Sequence, residues 1–195
     1  MKINKIELPN HREELGFWLN QHGFLGEGVE IGCAFGGYAT IILGSWKGRM
    51  LCMVDPWAKQ DDYKESTNET APFDLWYQGC VALANSRVGM TPGCTIVRKR
   101  STDGAKEFQD NCLDWVFIDG NHGYQAVIDD LNAWYPKLRS GGLLSGHDYG
   151  NQTEAMGCAG WDCEVERAVQ DWLKLHPELK QPKLTPCSSF WILKP

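Results

Sequence analysis

The sequence predicts an α/β fold: a doubly wound sheet of about seven strands with helices on both faces and the last strand antiparallel. Three observations lead there. The largely apolar runs Val29–Ile31 (broken by Glu30), Met50–Val54, Trp115–Ile118 and Leu143–Gly146 (broken by Ser145) read as strands buried on both sides. Between them lie segments whose apolar residues recur at the helical period. The chain closes on a further apolar run, Phe190–Leu193, which gives the sheet a β-rich end.

Each element can be justified in turn. Asn10–His22 reads as a helix capped at Asn10 and ended near Gly23, with Leu15, Trp18 and Leu19 on one face. It belongs to an N-terminal extension, residues 1–25, expected to pack over the sheet edge or the mouth of a ligand site. Val29–Gly37, V-E-I-G-C-A-F-G-G, is a strand running into a glycine loop, and Tyr38–Leu43 supplies the helix after it. The loop is not built for a pyrophosphate: G-x-G-x-x-G needs a glycine where Ala34 stands, and the acid Glu30 precedes the first glycine. Met50–Val54 then ends at Asp55. Residues 57–72 are polar and long for a connection within a domain, which suits a lid carrying Trp57 and Tyr63. Phe73, Trp76, Cys80, Ala84 and Val88 repeat at helical spacing, and Thr91-Pro92-Gly93 turns the chain into the strand Thr95–Val97. Ser101 and Thr102 stand at the next strand-to-helix turn, where they cap a helix around Ala105–Phe108 or Ser101 meets a ligand; capping is the commoner task.

Trp115–Ile118 ends at Asp119, and a helix follows with Tyr124, Val127, Leu131, Trp134 and Leu138 on one face, stopped by Gly141-Gly142. Leu143–Gly146 ends in His147-Asp148-Tyr149. A second irregular stretch, residues 150–163, leads to a helix with Val165, Ala168, Val169, Trp172 and Leu175 inward, closed by Pro177.

At 195 residues the chain is expected to be one domain, residues 1–195, large enough to bury about 70% of its unfolded surface. Nine tryptophans and 43% hydrophobic residues exclude a disordered chain, and a formal charge of −6 argues against a nucleic-acid partner. The basic run Arg98-Lys99-Arg100 reads as a solvated strand end. The Met1 end shows no apolar leader and no run reaches membrane length, so the expectation is a cytoplasmic protein without a membrane partner. Its eight cysteines (Cys33, Cys52, Cys80, Cys94, Cys112, Cys158, Cys163 and Cys187) are then reduced, most of them acting as small apolar residues. Cys158 and Cys163 could pair or hold a metal, but no second pair completes a zinc site. A homo-oligomer is left open.

Acids at the ends of successive buried strands suit a ligand carrying a ribose, because one carboxylate accepts hydrogen bonds from both ribose hydroxyls. Asp55 is the candidate, and Pro56 and Trp57 offer flat apolar faces to an adenine. The plainer reading makes Asp55-Pro56 a turn. Asp119 and Asp148 end strands read as parallel neighbours, about 4.8 Å apart, so their carboxylates converge with His147 beside them. Asp119 before Gly120 also reads as a helix cap, and His122 as a capping or packing residue rather than a metal ligand. Tyr124 and Tyr149 read as packing, and Trp161 as an unassigned candidate for substrate contact.

The pattern E-x-G-x-x-x-G at Glu30, Gly32 and Gly36 resembles the first motif of class I S-adenosylmethionine-dependent methyltransferases. F-I-D-G-x-H-x-Y from Phe117, followed by G-G-x-x-x-G-H-D-Y ending at Tyr149, is similar to a small methyltransferase family that includes relatives of macrolide-sugar O-methyltransferases and cephalosporin-biosynthesis methyltransferases. The resemblance runs from roughly Val29 to Tyr149 and implies a Rossmann-like fold with S-adenosylmethionine as cofactor. With that cofactor, Glu30, Gly32, Cys33, Gly36, Asp55, Pro56, Trp57, Ser101 and Asp119 are the cofactor candidates, Ser101 at the adenine as the alternative to capping. In that family, acids at the two strand ends hold a divalent cation against the acceptor oxygens. Asp119 and Asp148 match. Where some relatives have paired acids, this chain has His147-Asp148, so Asp119, His147 and Asp148 become both the catalytic and the metal candidates, with magnesium or manganese as the ion. An imidazole ligand favours manganese, iron or zinc over magnesium, and His147 is alternatively a general base. The implied activity is O-methylation of a small polar molecule: sugar, catechol-like or polyketide. Two rivals are a metal-dependent hydrolase or oxygenase on the same fold, which has no use for a ribose ligand, and a non-catalytic cofactor-binding module.

Overall fold

Apolar runs without alternation must bury both faces. In the computed structural model, which describes residues 7–58, 73–89, 91–150 and 163–195, they do so in a seven-stranded sheet. β1 (Glu27–Ile31), β2 (Met50–Val54), β3 (Cys94–Val97), β4 (Leu113–Ile118) and β5 (Leu138–Gly146) are parallel, while β6 (Lys183–Leu184) and β7 (Phe190–Leu193) complete one edge antiparallel. The order is β3-β2-β1-β4-β5-β7-β6.

Helices cover both faces. α1 (Leu15–Gln21), α2 (Gly37–Ser45) and α3 (Phe73–Val88) enclose one core with Leu15, Trp18, Ile42, Met53, Phe117 and Trp191. α4 (Ser101–Ala105), α5 (Tyr124–Trp134) and α6 (Val165–Lys174) enclose the other, where Ile31, Val116, Leu131, Trp134 and Trp172 meet. Trp134 and Trp172 are almost wholly buried, so truncating either to alanine costs about 3–5 kcal/mol. The sheet order reverses between β1 and β4. Loops leaving their carboxyl ends diverge to opposite faces there and open a crevice.

Three local expectations change. Leu138 begins β5 rather than ending a helix, because Pro136 removes an amide donor and turns the chain through a 3-10 segment, Tyr135–Lys137. Gly141-Gly142 accordingly lies inside β5, where the pairing jumps from Leu113 opposite Leu138 to Trp115 opposite Leu143. The helix expected around Ala105–Phe108 is α4, Ser101–Ala105; its cap position is Arg100, with no side-chain cap bond, so Ser101 does not cap it.

At the N-terminus a 3-10 turn, Arg12–Glu14, precedes α1, and the Asn10 backbone N–H donates to Glu14 Oε2 at 3.0 Å instead of Asn10 capping with its side chain. The turn is fixed over the carboxyl end of the sheet. Tyr38 Oη donates to the Arg12 carbonyl at 2.8 Å, and Lys183 Nζ donates to Asn10 Oδ1 at 3.0 Å. The proposed lid and second irregular stretch, including Tyr63, Cys158 and Trp161, lie outside the described residues apart from Trp57, Ala58, Gly150 and Cys163.

Candidate active site

The loop after β1 meets the end of β4 backbone to backbone. Gly32 has φ +78°, and a Cβ there would sit 2.0 Å from the Asp119 carbonyl oxygen, so no other residue fits. Gly36 also needs its left-handed φ of +73°, to start α2, but it faces Ala84 of α3 and Met53 rather than the crevice. Cys33 turns away as well. Its buried thiol donates to the Glu30 carbonyl at 3.2 Å and packs in the α1–α3 core, off the crevice; burial and the neighbouring Glu30 push that thiol up.

A cavity of about 250 Å³ fills the crevice, lined among others by Gly32, Asp55, Trp57, Ser101, Asp119 and Asp130. Asp55 is half-buried and already committed to backbone: Oδ2 accepts the Ala34 N–H at 3.1 Å and Oδ1 the Trp57 N–H at 2.7 Å. It therefore ties the glycine loop to the end of β2. Trp57, at φ +40°, is held in place rather than hanging free: its indole N–H donates to the Ala34 carbonyl at 2.7 Å and Arg98 Nη2 donates to its carbonyl at 2.9 Å. Arg98 also reaches the Pro56 carbonyl at 3.3 Å, so this part of the basic run clamps the loop instead of being merely solvated.

At the opposite wall Ser101 Oγ accepts the Trp134 indole N–H at 2.8 Å and bonds Asp130, which lies between the apolar positions Val127 and Trp134 on the inner face of α5. Burial raises the Asp130 carboxyl to about 7, with Asp129 adding to the rise and Ser101 opposing it. Nothing in the sequence reading marked Asp130. The available signal was an acid on the same helical face as Val127, Leu131 and Trp134.

The ends of β4 and β5 bring four polar side chains together. Their ladder continues through the His147 N–H to the Ile118 carbonyl at 3.0 Å, and Asp148 then takes the left-handed φ of +56°. His147 Nδ1 stands 3.1 Å from Asp148 Oδ1 and 3.8 Å from Asp119 Oδ1. His122 Nε2 stands 2.9 Å from Asp148 Oδ2 and 3.9 Å from Asp119 Oδ1. Burial alone would push His122 down, but its bonds to Asp119 and Asp148 and their charge outweigh that and hold it at about 9. Burial likewise opposes ionisation of Asp148, and the bonds from His122 and His147 overcome it and hold that carboxyl well below its usual range.

Asp119, His122 and Asp148 each offer a ligand atom within 4.8 Å of the others, a donor set of two carboxylates and one imidazole that suits a divalent first-row transition metal. His122, expected to cap or pack, thus stands among the candidate ligands. His147 lies beside the group, outside the three mutually close donors. Glu30 does not line the cavity: it is buried beneath the loop with Oε2 lacking a partner among the described residues. Burial pushes it well up, Asp119 and Asp55 reinforce the rise, and Arg12 opposes it. Tyr124 Oη bonds Asp171 of α6 at 3.2 Å, and Tyr149 packs on Phe190, so both serve packing.

The model of a family described as a methyltransferase domain matches residues 29–149, more than half of the chain. R132 of Acanthamoeba polyphaga mimivirus, an uncharacterised protein, is 28% identical over 164 residues, covering 81% of this chain and 62% of that protein. The chain thus spans somewhat less than two thirds of that curated relative. Among solved structures, the O-methyltransferase NovP superposes with a TM-score of 0.65 at 16% identity, covering 94% of this chain and 77% of NovP. The O-methyltransferase from Bacillus cereus in complex with SAH superposes with a TM-score of 0.62 at 12% identity, covering 96% and 82%. At those identities the structural likeness is one of fold. The family match spans the glycine loop, Asp55 and both acid-bearing strand ends, and by it the chain belongs to the methyltransferase-domain family.

Proposed function

We propose that this chain is an S-adenosylmethionine-dependent O-methyltransferase acting on a small polar hydroxyl compound, with a divalent ion held by Asp119, His122 and Asp148. The observation that carries the reading is one cavity lined by Ser101 and Asp130, by the Asp55 carboxylate and by Asp119, beside which Asp148 and two imidazoles gather. Asp55 accepts the ribose hydroxyls through lone pairs not used by Ala34 and Trp57. Ser101 and Asp130 meet the adenine edge, and Gly32 lets the amino-acid part pass close to backbone.

Methyl transfer is an in-line displacement. The acceptor oxygen bonds the methyl carbon, the carbon–sulfur pair returns to sulfur, and the hydroxyl proton leaves to a base. Asp148 orients His147 through Nδ1, which aims Nε2 at that proton. Asp119, His122 and Asp148 would hold a divalent ion, which would supply a lowered pKa to a hydroxyl bound there. Bound this way, His122 must give up the proton that the two carboxylates stabilise.

The family match favours methyl transfer over the hydrolase and oxygenase alternatives, and Asp55 gives the cofactor a ribose contact those alternatives lack. The net charge of −6 favours a small acceptor over a nucleic acid. Among the described residues no helix is long and apolar enough to cross a membrane, which accords with action in the cytoplasm. The relation to macrolide-sugar and cephalosporin-type enzymes rests on the motifs at Phe117–Tyr149. A thermal-shift series with S-adenosylmethionine, NAD and buffer tests the reading. At about 100 times its dissociation constant the true cofactor stabilises by about 2.7 kcal/mol; stabilisation by NAD alone would overturn the proposal.

A further inference from the structure

The cavity is rich in acids around the glycine loop: Asp119 lines it from the end of β4 and Asp55 from the end of β2, Glu30 lies buried beneath the loop, and Asp148 stands beside Asp119. S-Adenosylmethionine brings three charges to that region. Its ammonium and sulfonium suit the acids, but its carboxylate is repelled by them and needs a cation. Arg100 lines the cavity beside Ser101, and Arg98 is bonded to the Pro56 and Trp57 carbonyls. The two histidines are engaged with Asp119 and Asp148. Among the described residues, Arg12 is the lysine or arginine that reaches Asp119, with Nη1 3.7 Å from Oδ2.

Arg12 is built into this position. Its carbonyl accepts from Tyr38 of α2, its guanidinium lies 5.4 Å from the centre of the Tyr38 ring, and Lys183 holds the preceding turn from the β6 side. Its side chain is 30% exposed, and its contact with Asp119 is a long ion pair rather than a closed bidentate bond, so the guanidinium retains donors for another anion.

We propose, resting on the S-adenosylmethionine reading, that Arg12 binds the carboxylate of the cofactor's amino-acid part, making the N-terminal turn a wall of the cofactor site. The fork of the guanidinium then bridges the cofactor carboxylate and Asp119, and distinguishes cofactors that keep the amino-acid part from those that have lost it.

Calorimetric titration with S-adenosylhomocysteine and with 5′-methylthioadenosine tests this, because the second ligand keeps the adenosine and thioether but lacks the carboxylate. Arg12→Met, which preserves the apolar stem over Tyr38, should weaken S-adenosylhomocysteine roughly 10- to 100-fold and leave methylthioadenosine unchanged. Arg12→Lys should recover part of the loss, and Arg12→Gln gives the same comparison if the methionine variant folds poorly. Equal weakening of both ligands would overturn the inference by making Arg12 structural. Unchanged binding of both with a raised acceptor KM would overturn it by placing Arg12 on the acceptor. If the unaltered chain binds neither ligand, the S-adenosylmethionine reading itself fails, a result separable from either of those.

Discussion

Replacing Asp55 with alanine removes a carboxylate that has two tasks, and the structure separates their sizes. Each oxygen accepts a backbone N–H, from Ala34 at 3.1 Å and from Trp57 at 2.7 Å. A hydrogen bond to a charged acceptor contributes roughly 1.5–3 kcal/mol, and partial exposure of Asp55 places this pair toward the low end, so the variant should lose about 2–4 kcal/mol of stability. For a domain of this size that is a fall in Tm of roughly 5–15 °C. The second task, under the proposed function, is to hold the ribose, where losing two hydrogen bonds to a carboxylate should weaken S-adenosylmethionine at least about tenfold. Urea denaturation measures the first effect, and calorimetric titration of the variant, at a temperature where it remains folded, measures the second. A variant as stable as the parent would refute the tie between the glycine loop and β2, and unchanged cofactor affinity would remove the ribose assignment.

The remaining expectations concern the acids and their partners. In metal-free protein His122 is held at about 9, above its unfolded value of about 6.5, so its contribution, on the order of 2–3 kcal/mol, is complete below pH 6.5 and lost as pH rises to about 9. His122→Gln should flatten the stability profile across that window, and an unchanged profile would contradict the pairing with Asp119 and Asp148. Asp130 is an acid raised to about 7, so it binds more protons folded than unfolded and lowers stability as pH climbs from about 4 to 7. Asp130→Asn should therefore be at least as stable as the parent at pH 8 while binding the cofactor more weakly; a marked loss of stability there would argue against a buried, strained carboxyl. Thorough chelation, and separately Asp148→Asn, should abolish turnover while leaving cofactor affinity nearly intact. Activity that survives chelation would leave His147 to work as a base without an ion.

The strands and their end residues were legible because burial on both faces leaves a largely apolar run, and the glycines and acids punctuate it. The helical period exposed α5 and α6 for the same reason. What sequence could not convey is direction and closure. Cys33 and Gly36 lie in the glycine loop, yet one turns into the core and the other onto α3, in a loop where Gly32, Ala34 and Gly36 all take positive φ. Asp55 was found, but its bonds to Ala34 and Trp57 depend on how two loops fold together. His122 reaches Asp148 only because the segment after Asp119 turns before α5 begins, with Asn121 Oδ1 accepting the Gly123 N–H at 2.9 Å. Arg12 carries no motif at all. Its position comes from Tyr38 and Lys183, residues remote in sequence.

A crystal structure grown with S-adenosylhomocysteine and manganese, recorded at a wavelength where manganese scatters anomalously, tests the central claim most directly. The account predicts adenine against Ser101 and Asp130, ribose hydroxyls on Asp55, the thioether sulfur turned toward Asp119, and one anomalous peak among Asp119, His122 and Asp148. A cofactor seated elsewhere, or a ribose that does not touch Asp55, would contradict it.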